Sequence, residues 1–425
     1  MHKADLYKKG EKGLKGMPSA SFCRCLACKH YCTIPEGETG ICGVRMNNGG
    51  RLELLVYGHP AAVNVDPMEK KPMYHFLPGS SIFSIGTVGC NLSCKFCQNW
   101  DLSQATKILK RKIKEPAQRR KSLVQLCEGK LKYGIAELGE GLGSGTGAGL
   151  EPDLDFFEPG GLGGFGGQER LSPDEAVKMC KESGARAIAY TYNEPTIFFE
   201  YARDIGVKAR AAGLKNVFVT SGYESSETLA ACEGWMDGMN IDIKSFSEEF
   251  YRNICGVELK GVLETVRKVF EMGIWVEITT LVIPGMNDSD EELKGVAAFI
   301  AGLSIDMPWH VTAFHPAYKI MDRPETPPST LERAWKIGRA AGLRYVYTGN
   351  IFGGHDDTEC PSCGEVLVER MGMGCRENRV VVAEEDPPEA GGAAGGGGGT
   401  RAGLGNVNKG GACFKCGEKI AGVWK

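Results

Sequence analysis

The sequence predicts an α/β fold in which a partial or full (β/α) barrel lies between two cysteine-rich segments. Two observations lead to this fold class. Apolar strand candidates alternate with helical segments of about 10–15 residues, a pattern that gives a parallel sheet with crossover helices. Polar residues follow the ends of several strands, at the face where parallel barrels carry their chemistry. A doubly wound sheet is less favoured because no GxGxxG phosphate loop is present.

The distribution of cysteine and glycine divides the chain of 425 residues into three regions. Residues 1–80 form an N-terminal cysteine-rich segment, 81–350 the barrel and 351–425 a segment that looks like a zinc ribbon. Residues 105–170 begin as a basic run and end as a Gly-rich tract, and 384–411 are acidic and Gly-rich. Such tracts bury too little apolar surface to offset chain entropy, so we predict two largely disordered insertions.

The barrel elements are recognised from their end signals. The helix predicted at 171–184 has Ser172 as N-cap, Pro173 in its first turn and Gly184 beyond its end. The other helices are predicted at 196–212, 226–233, 258–272, 289–302 and 328–341. The strands are predicted at 81–89, 185–192, 216–222, 238–244, 274–285, 309–316 and 343–350.

The composition argues against several classes of protein. The formal net charge is −3, so no global basic field indicates a nucleic acid or an anionic membrane as partner. No window approaches the roughly 18 apolar residues of a membrane span, and the basic N-terminus lacks the apolar core of a secretory signal. We therefore expect a cytoplasmic protein without a membrane partner, or an organellar one if the N-terminus is truncated.

The central cysteine set carries the most specific chemistry. Cys90, Cys94 and Cys97 are spaced C-x3-C-x2-C directly after the first barrel strand. Cluster cysteines are normally four, so three local thiolates would hold a [4Fe–4S] cluster with one iron open to a substrate or cofactor. The alternatives are a zinc site that borrows a distant ligand and a set of unrelated buried cysteines.

Long stretches of the chain, with this motif at their centre, match a known family. They are VDPMEKKPMYHFLPGSSIFSIGTVGCNLSCKFCQNWDLSQ (65–104), IAYTYNEPTIFFE (188–200), LKNVFVTSGY (214–223), MNIDIKSFSEEFYR (239–252), WVEITTLVIPGMNDS (275–289) and PWHVTAFHP (308–316). They resemble the radical S-adenosylmethionine (SAM) superfamily, and within it the radical SAM component of the AmmeMemoRadiSam system. That subfamily is similar to pyruvate formate-lyase activating enzymes. The resemblance covers about 22–104 and 170–425.

The resemblance implies a reaction. In the superfamily, SAM chelates the open iron through its amino and carboxylate groups, and one electron cleaves SAM to methionine and a 5′-deoxyadenosyl radical. The radical abstracts hydrogen from the substrate. Cys90, Cys94 and Cys97 would therefore bind the cluster, and Glu194, in the sequence Asn193-Glu194-Pro195, would bind the SAM amino group.

The resemblance implies further contacts near SAM, at Asn193, Thr220, Ser221, Gly222, Asp242 and Lys244. A structural salt bridge is the alternative role for Glu194 and Asp242. His310 and His315 lie at the sixth strand and are candidate catalytic residues that would face SAM or substrate. The alternative for both histidines is packing or a backbone hydrogen bond.

The flanking cysteine sets predict further metal sites. Cys25, Cys28, Cys32 and Cys42 can close a tetrahedral zinc site or bind an auxiliary [4Fe–4S] cluster, and their spacing leaves both open. Two C-x2-C-G knuckles near the C-terminus look like the halves of a zinc ribbon. Their thiols are Cys360, Cys363, Cys413 and Cys416.

The sequence therefore predicts a radical SAM enzyme with an unidentified substrate. It would take electrons from a donor of ferredoxin or flavodoxin type. The subfamily's companions, Memo-type and AMMECR-type proteins, are implied partners. The first alternative is an activase that generates a glycyl radical on a partner enzyme. The second, from another class, is a metal-containing RNA-binding or RNA-modification module, although no basic face supports it.

Overall fold

The computed structural model describes residues 2–10, 22–131, 170–382 and 410–425. Its N-terminal part contains six short strands, β1 (His2–Lys3), β2 (Tyr7–Lys9), β3 (Phe22–Cys25), β4 (Thr33–Pro35), β5 (Arg45–Asn48) and β6 (Arg51–Leu54). They form two antiparallel sheets with the orders β1-β6-β5 and β2-β3-β4. The core that they share is small, so this segment depends on packing against the rest of the chain.

The central sheet has eight strands in sequential order. They are β7 (Ala62–Pro67), β8 (Ser81–Gly86), β9 (Ala187–Tyr190), β10 (Lys215–Thr220), β11 (Gly238–Asp242), β12 (Trp275–Val282), β13 (Trp309–Ala313) and β14 (Val346–Gly349). All neighbours from β8 to β14 pair in parallel, whereas β7 pairs antiparallel with β8. Within the described residues β7 and β14 are the two edges, so the barrel is partial. The seven predicted parallel strands are confirmed.

Helices connect the parallel strands and cover the outer face of the sheet. The described residues contain α1 (Trp100–Ser103), α2 (Ala105–Lys112), α3 (Pro116–Cys127), α4 (Pro173–Glu182), α5 (Phe199–Ala211), α6 (Ser226–Ala230), α7 (Glu248–Phe250), α8 (Leu259–Glu271), α9 (Asp290–Leu303) and α10 (Pro328–Ala340). The predicted cap of α4 is confirmed, because Ser172 and Glu175 form a reciprocal capping box. No helix of the described residues combines the length and apolarity that a bilayer crossing requires.

Alternation along the strands separates the two faces of the sheet. On β12, Val276 and Ile278 pack into the main core together with the apolar side of α8, whereas Glu277 between them points to the inner face. The inner face is filled at the beginnings of the strands by an apolar segment, 68–77, which packs on Ala187 and Trp275. This segment does not cover the carboxyl ends of the strands, where the candidate functional site lies.

The predicted disorder of 105–170 was wrong for its first part. Residues 105–131 contain α2 and α3, which share a small core of Ala105, Leu109, Leu123 and Leu126. The apolar residues that make this core are interleaved with basic ones, and that charge hid the helical pattern. Residues 132–169 and 383–409, which hold the Gly-rich tracts, lie outside the described residues. Gly411, at the end of the second tract, lies in a strand.

A buried ion pair joins the N-terminal segment to the barrel. Nη1 of Arg45 donates to Oε1 of Glu200 at 3.1 Å, and the two side chains are 2% and 0% exposed. The backbone N–H groups of Asp5 and Leu6 donate to the same oxygen of Glu200. Burial would raise the pKa of Glu200, but Arg45 and these hydrogen bonds hold that pKa below its ordinary value.

Replacing Arg45 by methionine is expected to lower the free energy of unfolding by about 3–5 kcal/mol, because Glu200 is left buried without its partner. Urea denaturation measures the change. Arg203→Met is the matched control, since Arg203 pairs with Asp5 and Asp204 at a partly exposed site, and about 1 kcal/mol or less should be lost. Equal losses in the two variants would contradict this role. The contribution of the Arg45 pair is present above the ordinary glutamate pKa and is lost as the pH falls through the lowered native pKa.

The C-terminal segment packs against the last strands of the barrel. It contains β15 (Thr358–Glu359), β16 (Val366–Met371), β17 (Gly374–Asn378), β18 (Val381–Val382), β19 (Gly411–Ala412) and β20 (Lys419–Ile420), in two three-stranded sheets. Val423 forms backbone hydrogen bonds with His75 and Leu77 of the apolar segment 68–77. The ring of His75 is held between the carbonyl of Ala421 at 2.7 Å and the hydroxyl of Tyr347 at 2.6 Å.

Acid is expected to weaken the attachment of the C-terminal segment. Burial lowers the pKa of His75 from 6.5 to about 4. The unfolded chain therefore binds more protons than the native one below pH 6.5, so stability is full above the unfolded pKa and falls as the pH drops towards the native pKa. The loss attributable to His75 is about 3 kcal/mol. Urea denaturation between pH 7 and pH 4 measures it, and an equal pH dependence in His75→Gln would contradict the assignment.

Candidate functional site

Three cysteines share a site at the carboxyl end of β8. Cys90, Cys94 and Cys97 lie on the loop that follows this strand, and their sulfurs are close enough to interact electrostatically with one another. Burial raises the pKa of the Cys90 thiol and raises that of Cys97 to about 11. A metal that takes these thiols as thiolates would therefore have to displace their protons.

A fourth thiol, which belongs to none of the three cysteine sets, lies beside the central one. Cys255 ends a π-helical turn, Tyr251–Cys255. The hydrogen bond between its thiol and that of Cys94 raises the pKa of Cys94 well above its ordinary value. The backbone N–H of Ser93 donates to the carbonyl of Cys255 at 2.7 Å. Single-turn π-helices often occur at functional sites. No spacing rule links Cys255 to a motif about 160 residues earlier, so only the fold reveals it.

Two buried cations face the thiols. Nζ of Lys107 donates to the carbonyl of Leu92 and to Oγ of Ser93, and its charge interacts with all three loop cysteines. Nζ of Lys244 donates to Oδ2 of Asp242 at 2.7 Å and lies near Cys94. Burial lowers the pKa of Lys107, whereas Asp242 and Cys94 raise that of Lys244 in spite of its burial. Both ammonium groups would offset the negative charge of a thiolate-bound cluster.

Asn193 fixes the shape of the cysteine loop. Its Nδ2 donates to Oγ1 of Thr87 at 3.1 Å and to the carbonyl of Gly89 at 2.9 Å. Its Oδ1 accepts from the backbone N–H of Thr87 at 3.2 Å. The amide therefore joins the end of β9 to the residues that precede Cys90, so in this structure it positions the loop.

Glu194 joins the ends of β9 and β10. One carboxylate oxygen accepts from the hydroxyls of Thr196 at 2.9 Å and Thr220 at 2.8 Å, and the other accepts from the backbone N–H of Ser221 at 2.9 Å. The side chain is buried, and its charge interacts with Cys90. Thr220 and Ser221, which were predicted to lie near SAM, are thus in direct contact with the predicted carboxylate of Glu194.

A second acid that sequence reasoning missed completes this arrangement. Oγ1 of Thr220 also lies 2.5 Å from Oε1 of Glu224, which is fully buried. One hydroxyl donates to one carboxylate only, so the other contact requires a carboxyl proton. Burial, and then the charge of Glu224, raise the pKa of Glu194 to about 7. A proton bound at Glu194 would therefore be shared within this hydrogen-bonded pair.

The remaining predicted SAM contacts lie at neighbouring strand ends. Gly222 has φ +71° and would bring a Cβ to 2.8 Å from Ile241, so glycine is required there. Asp242 ends β11 with its side chain 32% exposed. The ammonium of Lys244 lies 5.9 Å from the ring centroid of Phe96.

The two candidate histidines occupy different environments. His310 is buried on the inner face of the sheet, where its Nε2 lies 2.7 Å from Oε2 of Glu277 and its ring contacts Tyr74 and Tyr347. His315 is half exposed, and its Nδ1 lies 3.2 Å from Glu325. The structure does not bring the two rings together.

The flanking cysteine sets differ in how closely their sulfurs approach. Within the described residues, the one group of three or more candidate ligands whose donor atoms all lie within 4.8 Å of one another is Cys360, Cys363, Cys413 and Cys416. The Cys360–Cys416 and Cys363–Cys413 sulfur distances are 3.6 Å and 3.8 Å. Tetrahedral zinc–thiolate bonds of about 2.3 Å place sulfurs about 3.8 Å apart, so this set fits zinc. The N-terminal set instead lines one cavity, together with His30, Arg45 and Asn91.

The fold and the three-cysteine loop agree with the comparison with known families. The model of the Radical SAM superfamily matches residues 84–297, about half of the chain. The chain therefore belongs to the Radical SAM superfamily and is an enzyme, and this family implies a [4Fe–4S] cluster and SAM as its cofactors.

Its relatives add little about the substrate. The chain is 35% identical over 350 residues to an uncharacterized protein of Methanocaldococcus jannaschii, which covers 82% of this chain and 87% of that protein. It is 28% identical over 141 residues to the isethionate sulfite-lyase activating enzyme of Oleidesulfovibrio alaskensis, which covers 32% of this chain and 45% of that enzyme. Among solved structures, a domain of a pyruvate-formate lyase-activating enzyme from Bacteroides vulgatus is 22% identical, with a TM-score of 0.34. That match covers 39% of this chain and 99% of that domain.

Proposed function

We propose that this enzyme is the radical SAM component of an AmmeMemoRadiSam system and abstracts hydrogen from a substrate yet to be identified. The observation that carries the proposal is the loop of Cys90, Cys94 and Cys97, buried between the ammonium groups of Lys107 and Lys244. A cluster held by the three thiolates would supply the single electron that cleaves SAM reductively. The match to the isethionate sulfite-lyase activating enzyme covers only 32% of this chain, which is consistent with a different function.

The chain's own residues would perform the remaining tasks. Glu194 would accept a hydrogen bond from the SAM amino group. Thr220 and Ser221 would hold the carboxylate of Glu194 in place. Asp242 would keep Lys244 directed at the cysteine loop, and Asn193 would keep the loop in the shape that brings the thiols together. Burial of Glu194 and Thr220 excludes water from their side of the site, which strengthens the charge interaction of Glu194.

The direct test is anaerobic incubation of the iron-loaded protein with dithionite and SAM. We expect 5′-deoxyadenosine and methionine. Protein with a full cluster that cleaves no SAM would contradict the proposal. The same assay separates the alternatives, because an RNA-binding module would bind RNA and release no 5′-deoxyadenosine.

A second candidate function is generation of a glycyl radical on a partner enzyme. Similarity to the isethionate sulfite-lyase activating enzyme supports it, although less than half of that enzyme's length is matched. This activity would leave a protein-based radical on the partner that electron paramagnetic resonance (EPR) detects. If Memo-type and AMMECR-type proteins are the partners, the substrate would instead be a small molecule. That molecule would exchange hydrogen or rearrange.

The other assignments complete this picture. A donor of ferredoxin or flavodoxin type would deliver the electron, and the open iron site requires a reducing compartment such as the cytoplasm. We propose zinc for the C-terminal thiols on the basis of their tetrahedral spacing. The divisions 1–80, 81–350 and 351–425 stand as the proposed domains, with His310 and His315 as the candidate catalytic residues.

Replacing Glu194 by glutamine is expected to weaken SAM binding by about 1.5–3 kcal/mol, because a charge-assisted hydrogen bond to the SAM amino group is lost. Calorimetric titration of the anaerobic protein measures the dissociation constant. Since burial raises the pKa of Glu194 to about 7, wild-type affinity should rise with pH through that range and the variant's affinity should not. Glu53→Gln is the matched control, a buried carboxylate of the N-terminal segment that binds Arg51. Equal affinity of wild type and Glu194→Gln would contradict the role.

A further inference from the structure

The four N-terminal cysteines converge on one cavity. Cys25, Cys28, Cys32 and Cys42 line it, and their thiols interact electrostatically with one another. The cavity is partly open to solvent. The neighbouring Cys23 belongs to the same segment but is absent from the lining, since its thiol bonds to Oδ1 of Asn47.

The distances between these sulfurs distinguish zinc from a [4Fe–4S] cluster, the two alternatives that the sequence spacing left open. Among the described residues, no three of them meet the 4.8 Å limit that the C-terminal set satisfies. A single zinc ion draws its four thiolates to about 3.8 Å from one another. A [4Fe–4S] cube binds each thiolate through a different iron, so its ligands stand at the corners of a larger tetrahedron. Sulfurs that line one cavity but lie beyond this limit fit the cube better than a single zinc ion.

Two residues of the lining, Asn91 and Arg45, also suit a sulfur-rich anionic group. Asn91 lines the cavity and is buried, its Oδ1 lies 3.9 Å from the sulfur of Cys90, and its Nδ2 has no partner among the described residues. A buried amide without a partner costs free energy, and a hydrogen bond to cluster or cysteine sulfur would satisfy it. The guanidinium of Arg45 interacts with Cys25 and Cys42 and adds positive charge to the wall.

This cavity adjoins the catalytic loop. Asn91 follows Cys90 directly, and the carbonyl of Cys42 lies 2.7 Å from the position that a Cβ of Gly89 would occupy. Gly89 has φ +91°, so glycine permits both this backbone and this contact. The charge of Lys107 interacts with Cys42 as well as with Cys90, Cys94 and Cys97. One buried cation therefore serves both cysteine sets.

We propose that Cys25, Cys28, Cys32 and Cys42 hold a second [4Fe–4S] cluster, which relays electrons to the three-cysteine site. A low-potential one-electron donor protein reduces the second cluster, and the same electron then passes to the oxidised catalytic cluster, which restores the second cluster to its starting state. No bond or proton changes in this exchange. Zinc has no redox chemistry and would exclude the relay. The cluster assignment is independent of the proposed function, whereas the relay rests on it.

The cluster is tested in a chain whose catalytic loop is disabled. Full-length protein with Cys90→Ala, Cys94→Ala and Cys97→Ala, prepared anaerobically with iron and sulfide, should retain about four irons and four sulfides per chain. Dithionite should give the EPR signal of a reduced [4Fe–4S] cluster that SAM does not alter. Adding Cys28→Ala should remove this iron, and adding Cys23→Ala should not. Iron-free protein, or zinc in place of iron, would overturn the assignment.

The relay is tested with the catalytic loop intact. Cys28→Ala should halve the iron content and reduce SAM cleavage driven by a reduced ferredoxin to background, while cleavage driven by dithionite persists. Lys107→Met keeps every thiol and should lower both reduction potentials, which EPR-monitored titration measures. Ferredoxin-driven cleavage that is unchanged in Cys28→Ala would overturn the relay. Absence of SAM cleavage in wild type, with iron retained in the loop variant, would reject the proposed function and leave the cluster standing.

Discussion

Replacing Cys94 by alanine is expected to reduce SAM cleavage to the level without protein. Cys94 is the central thiol of its loop, and its sulfur interacts with Cys255 and with the ammonium of Lys244. Two remaining loop thiolates cannot hold a cube with one open iron. The readouts are 5′-deoxyadenosine formation and the change that SAM makes in the EPR signal of the reduced protein. Both should disappear in the variant.

The neighbouring thiol requires a second variant. Because the thiol of Cys255 hydrogen bonds with Cys94, it could replace the missing ligand. The double variant Cys94→Ala/Cys255→Ala removes this rescue. Cys180→Ala is the matched control, since Cys180 is buried but bonds only to backbone carbonyls of Ala185 and Ala187. Turnover in the double variant, or loss of turnover in the control, would contradict the role of the loop.

The sequence predicted those parts of the fold that depend on local patterns. The seven parallel strands, the capping box at Ser172 and the position of the cysteine loop after β8 all follow from periodicity and end signals. The antiparallel edge strand Ala62–Pro67 was not predicted, because only two of its six residues are buried. Helices α2 and α3 were not predicted, because basic residues are interleaved with their apolar positions.

The parts of the site that were missed depend on contacts between distant segments. Lys107 belongs to the basic run for which disorder was predicted, yet it is buried and its charge interacts with two cysteine sets. Glu224 and Cys255 have no motif, and they reach Thr220 and Cys94 only through folding. Asn193 was expected near SAM, but its amide is committed to three hydrogen bonds with the cysteine loop. Single-sequence spacing carries no information about such pairs.

Replacing Cys363 by alanine is expected to release zinc from the C-terminal segment and to detach this segment from the barrel. Structural zinc supplies folding free energy, about 10–16 kcal/mol in small zinc-finger peptides, because the unfolded chain holds no preformed site. Cys363 is exposed, so truncation creates no cavity and the effect reports the metal. Zinc content and limited proteolysis measure the result. Cys375→Ala is the matched control, a partly buried thiol outside the four-sulfur group.

Loss of this metal should spread to the barrel through named contacts. Ile420 and Trp424 pack with Tyr347, and Arg370 donates to the carbonyl of Tyr74 at 2.7 Å. Tyr74 and His75 donate their backbone N–H groups to the buried Glu277, which also binds His310. Detachment therefore hydrates one wall of a buried charged network, and thermal unfolding should begin at a lower temperature. A zinc-free Cys363→Ala protein with wild-type proteolysis and unfolding would show that packing alone holds the segment, and would remove the structural role assigned to the metal.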